Sequence, residues 1–173
     1  MIWLVGTGLW FFLVLVELAF VHSLPFPWNA MPLTLAVGVY LLQHHRLTIA
    51  CLWLISCGVI ADAWQIGLVP WETLSYAVAA GMAWIGAQKL FSHRSYYGLL
   101  ANALCAFAAL WGVRWVQESA VWFFDPHKAT WHLWPVIFLF ALLFFCLLMT
   151  ACFLAAKHIR KFVSSVFFPH SAP

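Results

Sequence analysis

Between Ile2 and Val21 the chain runs for twenty residues with Glu17 as its sole ionisable side chain. About twenty mostly apolar residues make a helix long enough to cross a bilayer. The stretch Trp134 to Ala156 is longer still and carries no charge. Runs of this kind constrain the fold more than any other feature. A water-soluble domain of 173 residues with 66% hydrophobic and 8% charged residues could not bury its own apolar surface. The mean hydropathy of +0.96 agrees. The sequence therefore predicts an all-α integral membrane protein. No alternating pattern of barrel strands is present, and helices satisfy their own backbone groups in lipid.

Prolines and charges divide the chain into about six spans, residues 2–21, 31–42, 47–64, 73–90, 99–116 and 132–156, in a single domain without repeats. The second is short, and spans only if tilted or extended by the loop before it. Lysine and arginine fix an expected orientation. Arg46, Lys89, Arg94, Lys157, Arg160 and Lys161 fall on one side, and only Lys128 on the other. Both termini are then cytoplasmic. The N-terminus lacks the basic region of a cleaved signal peptide.

This orientation gives the scarce charges a depth. Glu17, Asp62 and Arg114 lie in the outer third of their spans, and Glu118 follows Arg114 by one helical turn. Ionisable groups in a span are costly and turn toward protein or water. Arg114 is expected to pair with Asp62, Glu17 or Glu118. Three roles stay open for the cluster: a pin between helices, a substrate or ion site, or a partner contact. Eight of the twelve tryptophans (Trp28, Trp64, Trp71, Trp111, Trp115, Trp122, Trp131 and Trp134) gather toward the same boundary, the depth that indoles prefer. Small residues fill the fourth span (Ala79, Ala83, Ala87) and the fifth (Ala103, Gly112), so these two are expected inside the bundle, with spans one and six facing lipid.

Signatures of chemistry are missing. There is no HExxH, GxSxG or phosphate-binding loop. His44, His45, His93 and His158 belong to the cytoplasmic side, and His22, His127, His132 and His170 to loops or tails, which makes neither a metal set nor a haem pair. Asp62 and Asp125 lack the glycine-rich frame of an aspartic dyad. The five cysteines sit in apolar runs and read as free thiols. No enzyme activity, cofactor or metal is expected. A net charge of +3 without an extended basic cluster also argues against nucleic acid, leaving membrane lipid and other membrane proteins as partners.

The run GVIADAWQIGLVPWETLSYAVAA (Gly58 to Ala80) resembles the central segment of the MreD-like rod shape-determining membrane proteins. In that family a small-residue helix ends in an aspartate, and a short glycine-containing loop leads to a helix opening on leucine. Gly58, Asp62, Gly67 and Leu74 occupy those places. HSLPFPWNAMPLTLAVGVYLLQHHR and KLFSHRSYYGLLANAL resemble the flanking loops and helices. The likeness spans residues 15 to 110. It departs from the family where Glu72 and Thr73 replace the glycine before the leucine. The resemblance implies a non-catalytic scaffold of the cell-wall elongation machinery in the bacterial inner membrane. It would work with MreC, the actin-like MreB, and the RodA glycosyltransferase with its penicillin-binding transpeptidase.

Two rival readings accompany it. MreD-like proteins resemble in fold the substrate-binding subunits of energy-coupling-factor vitamin transporters, for which Glu17, Asp62 and Arg114 would line a pocket. Short aromatic outer loops count against a lidded cavity. An accessory subunit of a larger membrane complex is the other.

Overall fold

In the computed structural model, residues 2–45, 48–65, 69–90, 95–124 and 133–167 are described. Arg46, Gly67, His93, Arg94, Asp125, His127, Lys128, Trp131, His132 and His170 lie outside them. The described residues hold six α-helices and no strand. These are α1 (Ile2–Leu15), α2 (Leu33–His45), α3 (Ile49–Gln65), α4 (Trp71–Ile85), α5 (Tyr96–Phe124) and α6 (Trp134–Phe167). A π turn over Val16–Phe20 and a 3-10 turn over Val21–Ser23 prolong α1, and a π turn over Gly86–Leu90 prolongs α4.

Among the described residues three helical stretches are long and apolar enough to cross a membrane: Gly6–Ser23, Tyr96–Phe123 and Trp134–His158. The two last helices outrun their expected spans. Gln117–Phe124, expected in a polar loop, is helical, because no proline or glycine interrupts the chain between Val113 and Pro126. The C-terminal tail likewise stays helical to Phe167. The 13 residues of α2, by contrast, reach only about 20 Å.

The sequence reading places spans four and five inside the bundle, and α4 and α5 do pack on each other along buried faces, while the short α2 packs against all five other helices. Its residues Thr34, Leu35, Ala36, Gly38, Val39, Tyr40, Leu42 and Gln43 are buried, leaving no solvent-type face. The small residues of α4 do pack inward: Ala79, Ala80 and Ala83 are fully buried and bring α4 close to α3 and α5. The opposite side of α4, with Leu74, Val78, Met82 and Ile85, is exposed.

Spans one and six, expected at the periphery, carry exposed apolar faces. Among the α6 side chains described, to residue 158, only Ala141, Phe145 and Met149, one stripe at four-residue spacing, are buried, while Leu139, Leu143 and Leu147 are exposed. The loop after α1 lies over this helix, with Phe26 5.2 Å from Phe140 and Trp28 5.3 Å from Phe144 between ring centres.

Two glycines set the closest approaches. A Cβ on Gly38 would stand 2.5 Å from Leu54 Cδ2, so α2 and α3 meet there. A Cβ on Gly58 would stand 2.6 Å from Thr73 Cα and 2.7 Å from the Glu72 carbonyl oxygen. At Gly58 the obstacle is backbone, so the start of α4 rests directly on α3.

Candidate functional site

Helix α4 begins immediately after Pro70, which fixes φ and leads into Trp71, Glu72 and Thr73 in the first turn. The first amides of any helix lack intrahelical partners, and Pro70 offers no side-chain cap. Asp62 fills that role from α3. Its Oδ1 accepts the Glu72 amide at 3.0 Å. Its Oδ2 accepts the Thr73 amide at 2.8 Å and the Thr73 hydroxyl at 2.5 Å. One turn of α3 thus provides both halves of the joint: Gly58 gives the space and Asp62 the acceptors.

Glu17 does the same for α2. It is 3% exposed, sits in the π turn that follows α1, and accepts the Thr34 amide through Oε2. Thr34 is the second residue of α2, which also follows a proline, Pro32. The Tyr76 hydroxyl donates to Glu17 Oε1 at 3.4 Å. The Thr34 hydroxyl lies 3.3 Å from Cys57 Sγ and 3.4 Å from the Tyr76 hydroxyl. Four helical segments therefore meet in one buried polar knot. Two carboxylates perform one task, each holding the start of the next helix in the chain. The separations differ, 17 residues for Glu17 to Thr34 and 10 for Asp62 to Glu72, so the recurrence leaves no sequence repeat.

Arg114 was expected to pair with Asp62, Glu17 or Glu118. Its partner is Glu72: Nη2 donates to Oε2 at 2.7 Å. Asp62 and Glu17 are engaged with backbone amides, whereas Glu72, in the first turn of α4, faces α5. The Arg114 guanidinium carbon lies 5.9 Å from the Trp111 ring centre. Glu118, one turn beyond on α5, is half-buried and takes no hydrogen bond or ion pair from any described residue. So Glu17, Asp62 and Arg114 do converge on one end of the bundle, but through Glu72, Thr73 and Tyr76, and Glu118 stands apart.

The signal for Glu72 was present. Proline followed by an acidic residue is a helix-start pattern, which places Glu72 inside the fourth helix rather than in the loop before it. Thr34, Cys57 and Tyr76 carry no comparable mark. A second buried link was equally hidden: the fully buried Asn102 donates Nδ2–H to the Ala83 carbonyl at 3.1 Å, tying α5 to α4.

The tryptophans divide into two groups. Trp28, Trp64, Trp115 and Trp122 are exposed. Trp71 and Trp134 are half-buried, and Trp111 is buried. Trp111 and Trp134 meet edge to face at 5.2 Å. Beside them an open cavity of about 540 Å³ runs between α5 and α6, lined by Ala108, Trp111, Gly112 and Trp115 on α5 and by Trp134 and Phe138 on α6. None of these is charged. A smaller cavity of about 310 Å³, lined by Leu42, Thr48, Trp84, Ala87 and Gln88, lies near the end of α2. No group of three or more metal-binding side chains occurs among the described residues. No protein-family model, curated protein or solved structure matches the chain.

Proposed function

We propose that this chain is a non-catalytic scaffold of the bacterial cytoplasmic membrane, with six spans and both termini in the cytoplasm, that holds partner membrane proteins. The observation that carries the reading is the use made of the intramembrane charges. Asp62 accepts three hydrogen bonds from α4, Glu17 accepts two, and Arg114 is paired with Glu72. Side chains committed in this way fasten helices to one another. A binding subunit of a transporter would direct such groups into a pocket, and the α5–α6 cavity has no ionisable lining residue.

The open groove between α5 and α6, walled by Trp111, Trp115, Trp134 and Phe138, supports partner binding. The six-to-one division of basic residues supports the orientation. A short α2 can take part in a six-span plan because it is surrounded by protein on all sides. The finer assignment, an MreD-like member of the elongation machinery, rests on the resemblance of Gly58 to Ala80. Two of its four positions, Gly58 and Asp62, build the α3–α4 joint.

Depletion in a rod-shaped host is expected to give round cells, and crosslinking is expected to recover an MreC-like protein. Normal rods with no such partner would overturn the cell-wall assignment. Saturable binding of a vitamin-sized ligand, abolished by Asp62→Ala without loss of fold, would replace the scaffold by the transport reading. A reporter fused to the C-terminus tests the orientation directly, with cytoplasmic activity expected.

A further inference from the structure

The α5–α6 groove is apolar over its length, yet a carboxylate with no partner among the described residues, Glu118, stands at one end of it. Its floor is Ala108 and Gly112, four residues apart and both exposed. A Cβ added at Gly112 would meet nothing within 4 Å. Small residues at this spacing let another helix backbone approach closely. The walls are Trp111, Trp115, Trp134 and Phe138, with Trp111 and Trp134 locked edge to face.

Glu118 follows Trp115 by three residues and Trp111 by seven, so it continues the Trp111 side of the groove along α5. It lies 22 residues beyond Tyr96, about 33 Å along the helix, near the edge of a hydrocarbon core of about 30 Å. Arg114, the nearest cation on α5, is turned away to Glu72. The other carboxylates of this end, Glu17 and Asp62, are held by backbone amides. Among the described residues Glu118 thus has no counterpart, and it stands beside an open apolar groove.

We infer that the α5–α6 groove docks a transmembrane helix of a partner protein that carries a lysine or arginine near its outer end, placed to meet Glu118. The inference rests on the scaffold reading and names the kind of partner. An anionic lipid would bring like charge to Glu118. A second copy of the chain packed symmetrically on the same groove would bring one Glu118 toward another, which is unfavourable for the same reason.

The test uses the full chain in phosphatidylcholine vesicles and a synthetic leucine–alanine helix of about twenty residues. The helix carries one terminal lysine and a dansyl acceptor for tryptophan fluorescence. Association is expected to be about threefold tighter than for the same helix ending in glutamine, the size of an exposed ion pair. Glu118→Gln should abolish that difference, and Gly112→Leu should weaken both helices. Ala108→Leu serves the same purpose if Gly112→Leu does not fold. Equal binding of the two helices, indifference to both groove variants, displacement by phosphatidylglycerol, or energy transfer between copies lost in Gly112→Leu would each overturn the assignment. Round cells on depletion without helix selectivity would overturn the groove alone. Selectivity with normal rods would overturn the cell-wall reading alone.

Discussion

The start of α4 and the α5–α6 groove are near neighbours, joined by the stretch from Trp111 to Arg114, but they are built on opposite principles. At the start of α4 every ionisable side chain has a partner: Asp62 holds two amides and a hydroxyl, and Glu72 holds Arg114. In the groove the lining carries no charge, a Cβ at Gly112 would meet nothing within 4 Å, and the one adjacent carboxylate has no described partner. Charge in a low-dielectric setting is costly unless it is bonded, so it goes where it can be satisfied permanently. A surface meant for a second molecule must stay open until that molecule arrives. The contrast separates residues that make the bundle from residues available to something outside it.

Substitutions should divide along that line. The largest effect is expected for Gly58→Val, which drives a branched side chain into the backbone of Thr73. A loss of about 3 kcal/mol, seen as poor recovery of folded protein from detergent, marks the α3–α4 joint as rigid. Wild-type stability would mean that α4 can slide on α3. Next comes Asp62→Ala, expected to cost about 2 kcal/mol by leaving two amides and a hydroxyl without their acceptor. Asp62→Asn should recover part of this, since one oxygen remains, and thermal unfolding followed by tryptophan fluorescence reads both.

The Arg114–Glu72 pair is partly open, with side chains 28% and 15% exposed, so its coupling is expected near 1 kcal/mol. A double-mutant cycle of Arg114→Ala with Glu72→Ala should give that value, while the cycle of Arg114→Ala with Asp62→Asn should be close to additive. The reverse result would return Arg114 to Asp62. Smallest of all, Glu118→Gln should change stability by less than about 0.5 kcal/mol. A larger loss would move Glu118 from the open surface into the framework and erase the distinction between the two regions.

Much of this architecture is legible in the residues. Long apolar runs dictate helices, and prolines at 25, 27, 32 and 70 mark the helix starts and the first loop. The gathering of carboxylates, Arg114 and tryptophans at one end also follows from where they fall in those runs. The pairing does not. Which of four carboxylates meets Arg114 depends on the rotation of α4 and α5 about their axes, and a two-residue difference in where α4 begins moves Glu72 from the loop into the first turn of the helix. The central place of α2 was hidden for a related reason. Small residues report how closely two helices approach, whereas a central position requires burial on every side, which α2 achieves with Leu35, Val39 and Tyr40 as well as Ala36 and Gly38.

By itself the sequence determined the helical class, the approximate number of helices and the end at which charge and aromatic rings collect, because each follows from the solubility of local segments in lipid. Tertiary structure alone decided that Glu17 and Asp62 hold the starts of α2 and α4, that Arg114 belongs to Glu72, and that Glu118 has no partner among the described residues. Those outcomes turn on hydrogen-bond geometry between segments far apart in the chain, where an ångström or a fraction of a helical turn selects the partner.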